Sequence, residues 1–107
     1  MGVDWGELQE LADTWAQQSN RSFGNEALVL EFCANELEKW IEMEGHPQVL
    51  LDAWRENART SAGGLPGHFR ACADALEEEL VDQGYDPEKN QIEYEDGPLD
   101  RKKYWEL

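Results

Sequence analysis

Apolar and polar positions along this chain alternate with the 3.6-residue period of an amphipathic helix in four successive stretches. In the first, Trp5, Leu8, Leu11, Ala12 and Trp15 recur at spacings of three and four. The spacing predicts a helix over residues 5–18. Asp4 is placed to cap it, and Glu7 follows three residues on, as in a capping box. Residues 19–24 read as a polar loop interrupted by Phe23.

The second stretch is the longest. Asn25 is the expected cap, 26–44 the helix, and Gly45 the stop. Leu28, Val29, Leu30, Phe32, Cys33, Leu37, Trp40 and Ile41 cover more than half of its circumference. A helix that apolar must touch several neighbours, so it is assigned as the central one. Its remaining strip carries Glu31, Asn35, Glu38 and Glu42.

Pro47 suits the first position of a third helix, which ends near Thr60 and buries Val49, Leu50, Ala53, Trp54 and Ala58. Residues 61–67, with three glycines and Pro66, form the clearest break in the chain. A fourth helix over 66–83 turns Phe69, Cys72, Ala73, Leu76, Leu80 and Val81 inward, with Gly84 as its stop. Asp74, Glu77, Glu78 and Asp82 lie on its wet side. Beyond it, Ile92 and Tyr94 alternate with Glu93 and Glu95 as in a short strand. Asp96-Gly97-Pro98 signals a turn, and 99–107 reads as a last helix or an extended arm. The expectation is an all-α fold: a compact bundle of about four helices over 1–84, and an acidic, aromatic C-terminal tail over 85–107 that forms a short strand or helix and either packs on the bundle or binds a partner. The 107 residues make one domain overall.

Charge changes this picture. Asp and Glu number 24 against nine Lys and Arg, a formal charge of −15. Such a surface repels nucleic acid and anionic membranes, whose binding runs on cations. It attracts basic surfaces, including those that normally hold DNA or RNA. Solubility and a salt-rich habitat are the plain alternatives. No apolar run reaches the ~18 residues of a membrane span, and 1–5 show no secretory signal. A cytoplasmic protein is expected, with Cys33 and Cys72 as reduced thiols.

Motifs for chemistry are weak. His68 and Cys72 share a helix face, and Cys33 and His46 could complete two Cys and two His. The paired spacings of zinc sites are missing, so no metal is expected. A Cys72–His68 nucleophile would also need an orienting group, an oxyanion stabiliser and a pocket, and none is signalled. The run Glu77-Glu78-Glu79 lacks the loop of an EF-hand. The glycine-rich segment 62–67 lacks the ending of a P-loop and reads as a hinge. No cofactor and no catalytic residue are assigned.

What remains is the placing of acid. Glu31, Glu38 and Glu42 lie along one ridge. Asp74, Glu78 and Asp82 repeat every four residues, about 6 Å apart along a helix axis, a spacing comparable with successive phosphates. Asp86, Glu93, Glu95 and Asp96 continue the acid into the tail, beside Glu77 on the fourth helix. With Tyr94, Tyr104 and Trp105, and with Tyr85 as a further aromatic, these residues form the expected partner-binding set. The expectation is a non-catalytic acidic protein that occupies a basic, nucleic-acid-binding surface on a partner protein and inhibits it. Phage-encoded inhibitors of CRISPR or restriction complexes, and immunity proteins that neutralise nuclease toxins, act by this physics, although no motif of theirs is matched. The alternative is a helical adaptor or assembly subunit held by apolar contacts.

Overall fold

Side-chain capping sets where two of the helices begin. A computed structural model describes residues 4–91, and in them the chain forms α1 (Trp5–Arg21), α2 (Gly24–Met43), α3 (Pro47–Thr60) and α4 (Leu65–Asp82). Asp4 caps α1 as expected, with Oδ1 accepting from the Glu7 N–H at 3.2 Å. His46 caps α3: its Nδ1 accepts from the Gln48 N–H at 3.1 Å, and Pro47 takes the first helical position.

At α2 the expectation fails. Phe23, not Asn25, is the N-cap, and no side chain bonds there. Gly24, at φ 65°, makes the reversal that a side-chain cap would otherwise have marked. The polar stretch expected as a loop is mostly helix, leaving Ser22 and Phe23 as the whole connection between α1 and α2. Ser19 illustrates why its composition misleads: Oγ donates back to the Ala16 carbonyl at 2.8 Å, so the hydroxyl is satisfied without breaking the helix.

Helices α2 and α4 end in the same hydrogen-bonded turn. The Gly45 N–H reaches the Trp40 carbonyl at 2.9 Å and the Glu44 N–H the Ile41 carbonyl at 3.1 Å. In α4 the equivalent pair runs from Tyr85 to Leu80 and from Gly84 to Val81, both at 2.9 Å. This is the Schellman closure. Gly84 supplies its left-handed residue in α4, at φ 92°. In α2 that residue is Glu44, at φ 51°, and not the expected Gly45. Gly45 is required for a different reason: a Cβ there would lie 2.6 Å from the Trp40 indole nitrogen. That indole donates to the His46 carbonyl at 2.8 Å, which fixes it against the turn.

The described residues form two helical hairpins, α1–α2 and α3–α4, packed through α2 and α4. Each of those two helices touches all three others, so the central position expected for α2 is shared with α4. The backbones of α1 and α3 stay apart. Their indoles close the gap: Trp15 and Trp54 meet edge to face with centroids 5.4 Å apart. Leu8, Ala12, Val29, Leu37, Leu50, Leu51, Leu76 and Leu80 fill the space around them.

Three residues expected inside are not. Leu28 is 62% exposed, Val81 50%, and Phe32 remains partly open to solvent. The apolar arc of α2 is wider than its neighbours can cover, and Leu28 and Phe32 fall on the uncovered side. Conversely, α3 also buries Pro47, Gln48 and Leu51.

Polar groups inside find partners. The Trp54 indole donates to Glu36 Oε1 at 2.9 Å, placing a carboxylate in the core between α2 and α3. Tyr85 is buried as well, its hydroxyl donating to Gln48 Oε1 at 3.0 Å, while Gln48 donates to Asp52 at 2.9 Å. The bundle therefore runs one residue past the expected boundary at 84, and Tyr85 is a core residue rather than a contact aromatic. Asp86 then shapes a turn by accepting from the Glu88 N–H at 3.0 Å. The expected strand near Ile92 and the last helix or arm over 99–107 lie outside the described residues. No helix among the described residues is long and apolar enough to cross a membrane.

Candidate functional site

Helix geometry places the first acidic ridge on an open surface. At about 100° per residue, Glu31, Glu38 and Glu42 fall within an arc of about 40°, with Leu28 and Phe32 on its flank. All three carboxylates are exposed. Phe32 leans its inner edge on Phe69 of α4, with centroids 5.7 Å apart, and keeps its outer part in solvent. Phe23, 90% exposed, precedes the helix, and exposed Met43 ends it. The outward side of α2 is thus an apolar stripe bordered by glutamates, with Lys39 also exposed on it. The glutamates were legible in the sequence but the stripe was not, because the helical period places Leu28 and Phe32 in the apolar arc expected to face the core.

The α4 ridge is less uniform than expected. Asp74, Glu78 and Asp82 are exposed, but Arg55 of α3 reaches across to this helix. Its guanidinium donates to Glu77 at 2.9 Å and stands 3.6 Å from Asp74. Burial opposes the charge on Arg55, yet its bond to and attraction by Glu77, and then Asp74, hold its pKa above the ordinary value. Glu77 is therefore tied into the fold. Among the described residues, Glu78 and Asp82 have no ion-pair partner. Exposed Arg70, four residues before Asp74, lies at the N-terminal end of the same ridge. Asp86 is the turn former described above. Glu93, Glu95, Asp96, Tyr94, Tyr104 and Trp105 lie outside the described residues.

A third acidic group was not singled out by the sequence reading. The start of α1 lies against the end of α4, where the Gln83 side chain clasps Asp4: its Oε1 accepts from the Asp4 N–H at 2.7 Å and its Nε2 donates to the Asp4 carbonyl at 3.2 Å. This brings Glu79 beside Glu7. Repulsion by Glu10, then Glu79, then Asp4 raises the Glu7 pKa above the ordinary carboxylate value. Every charged neighbour that moves it is another carboxylate. Neither α2 nor α4 carries a basic residue in its last turn, where the helix dipole favours one, whereas α1 has Arg21 and α3 has Arg59. The spacing of Asp4, Glu7 and Glu10 was visible in the sequence. Their meeting with Glu79 was not.

The described residues also line two recesses. One, of about 380 Å³, is polar and lined by Gln48, Asp52, Arg55, Glu77, Pro87, Glu88 and Gln91. The other, of about 180 Å³, lies among α1, α2 and α4 and is lined by Trp15, Gln18, Glu26, Leu30, His68, Ala71 and Cys72. His68 and Cys72, weighed above as a nucleophile pair, do share it. Cys33 and Cys72 meet thiol to thiol, while His46 is engaged at the start of α3. Among the described residues no three His, Cys, Asp or Glu side chains group as metal ligands would.

The chain matches no family model, and comparisons with curated proteins and with solved structures give no match either.

Proposed function

We propose that this protein is a non-catalytic binding protein whose acidic surface occupies a basic, nucleic-acid-binding surface of a partner protein and blocks it. The observation that carries the reading is the outward side of α2, where exposed Glu31, Glu38 and Glu42 border exposed Leu28 and Phe32. Apolar side chains left out of the core, beside carboxylates that have no ion pair among the described residues, suit an interface with a dry centre and a charged margin. Attraction between the carboxylates and partner Lys or Arg steers the encounter, and the apolar stripe then sets the register. Glu78 and Asp82 extend the negative field, whereas Glu77 and Asp74 are partly spent on Arg55. The crowding at Glu7 supports the same reading, since folding alone does not favour like charges held together. Inhibitors of CRISPR or restriction complexes and nuclease immunity proteins exemplify the class.

The exposed Leu28, Phe32, Phe23 and Met43 also favour a second reading, an adaptor held chiefly by apolar contacts. Salt separates the two. The immobilised protein is used to capture a partner at low ionic strength, and the purified complex is then titrated with salt and with duplex DNA. The blocking reading expects affinity to fall steeply with salt and DNA to compete. Joint reversal of Glu31, Glu38 and Glu42 to Lys abolishes binding under that reading, and reversal of Asp74, Glu78 and Asp82 weakens it, with the bundle still folded. Binding that ignores salt and both reversals, but is lost in Leu28→Ser with Phe32→Ser, overturns it in favour of the adaptor.

A further inference from the structure

The two cysteines serve neither the core alone nor the acidic surface. Cys33 of α2 is fully buried, and Cys72 of α4 is 3% exposed. Neither is in a disulfide, and their side chains interact across α2 and α4, the helix pair through which the two hairpins pack. The two are not equivalent. Cys72 lines the 180 Å³ recess, whereas Cys33 does not. His68, one turn earlier on α4, lines the same recess, so an imidazole shares it with Cys72.

We propose that Cys33 and Cys72 are an oxidisable pair, which a small peroxide entering the recess converts into a disulfide tying α2 to α4. The Cys72 thiolate attacks one peroxide oxygen. An S–O bond forms, the O–O bond breaks, and the leaving hydroxide takes a proton to become water. Cys33 then attacks the Cys72 sulfenic sulfur; the S–S bond forms, the S–O bond breaks and a second water leaves. Two thiols lose two electrons and two hydrogens, and one peroxide is reduced to two waters. Contact with the Cys33 thiol lowers the Cys72 pKa against the opposing push of burial, which favours the attacking form. Cys33, fully buried and interacting with Cys72, is the resolving thiol and is shielded from outside partners. With Cys33 fully buried and Cys72 only 3% exposed, the bond closes within one molecule.

The test uses the full chain, reduced and then treated with hydrogen peroxide at neutral pH under native conditions. Intact-mass spectrometry is expected to show a loss of two hydrogens, thiol titration after denaturation to fall from two to zero, and a reductant to reverse both. Non-reducing electrophoresis is expected to show a monomer, and the thermal midpoint of the oxidised protein to rise, because the cross-link restricts the unfolded chain. Cys33→Ala is expected to leave a Cys72 sulfenic acid that dimedone traps. If that variant does not fold, the wild-type mass and thiol count decide alone. Persistence of both thiols, oxygen added to Cys72 while Cys33 stays free, or a disulfide-linked dimer would each overturn the proposal.

Discussion

Three consecutive glutamates on α4 meet three different surroundings. Glu77 faces α3 and is held by Arg55 at 2.9 Å. Glu79 faces α1 and presses on Glu7, with Glu10 and Asp4 nearby. Glu78, between them, faces solvent. One flank of the helix joins opposite charges, and the other brings like charges together. Residue type is the same throughout, so the difference belongs to the neighbours. The α3 flank uses its acid to hold the hairpin. Among the described residues, the α1 flank has no ion pair for its acid.

Breaking the paired flank has the largest expected effect. Arg55→Glu turns it into a copy of the other: Glu77 and Asp74 gain a third carboxylate and lose their cation. Destabilisation of roughly 1–2 kcal/mol is expected in urea unfolding, kept modest by partial exposure of the pair. Next comes Tyr85→Phe, which leaves Gln48 Oε1 without its donor beside that flank and costs about 1 kcal/mol. Burial, helped by Asp52, pushes the Tyr85 phenol up to about 12. Its folded-state pKa is raised, so its contribution is complete below the unfolded value near 10 and is lost as pH rises through about 12. Alkaline unfolding followed by circular dichroism is expected to lose that component in the variant.

The crowded flank responds at the opposite end of the pH scale. The raised Glu7 pKa means that the folded state binds its proton more readily than the unfolded chain. Repulsion is fully expressed at neutral pH and eases as pH falls into the carboxylate range. Glu7→Gln is expected to raise the thermal midpoint at low ionic strength and neutral pH. That gain should vanish in molar salt or in mild acid; a gain independent of both would mean the carboxylates do not interact. The smallest effect is expected for Glu78→Gln, within ~0.5 kcal/mol of wild type in the same unfolding assay.

The helices were largely legible, because their determinants are local. Asp4, Pro47 and Gly84 mark boundaries through chemistry that needs no distant partner. The misplacements have equally local causes. Gly24 reverses the chain where a cap was expected at Asn25, and Glu44 takes the left-handed position that was assigned to Gly45. Periodicity says which residues share a face but not whether anything covers it, so Leu28 and Phe32 were counted as core. Glu36 carried a readable signal: it lies three residues from Cys33 and four from Trp40, inside the apolar arc. A carboxylate in that position implies a buried donor, which Trp54 supplies. The candidate surface was legible only as a set of exposed acids on α2 and α4. Which of them meet Arg55, and which meet Glu7, depends on contacts between helices that no spacing encodes.

The Gln83 clasp has a consequence for the order in which the molecule is made. Asp4 and the side chain that holds both its backbone groups are 79 positions apart. At ~5–20 residues per second, a ribosome delivers Gln83 roughly 4–16 s after Asp4. Throughout that interval the first turn of α1 keeps its own Asp4 cap but lacks its tertiary fastening. The α1–α2 hairpin can form early, yet the corner where α1 meets α4 is sealed only by nearly the last described stretch of chain to emerge.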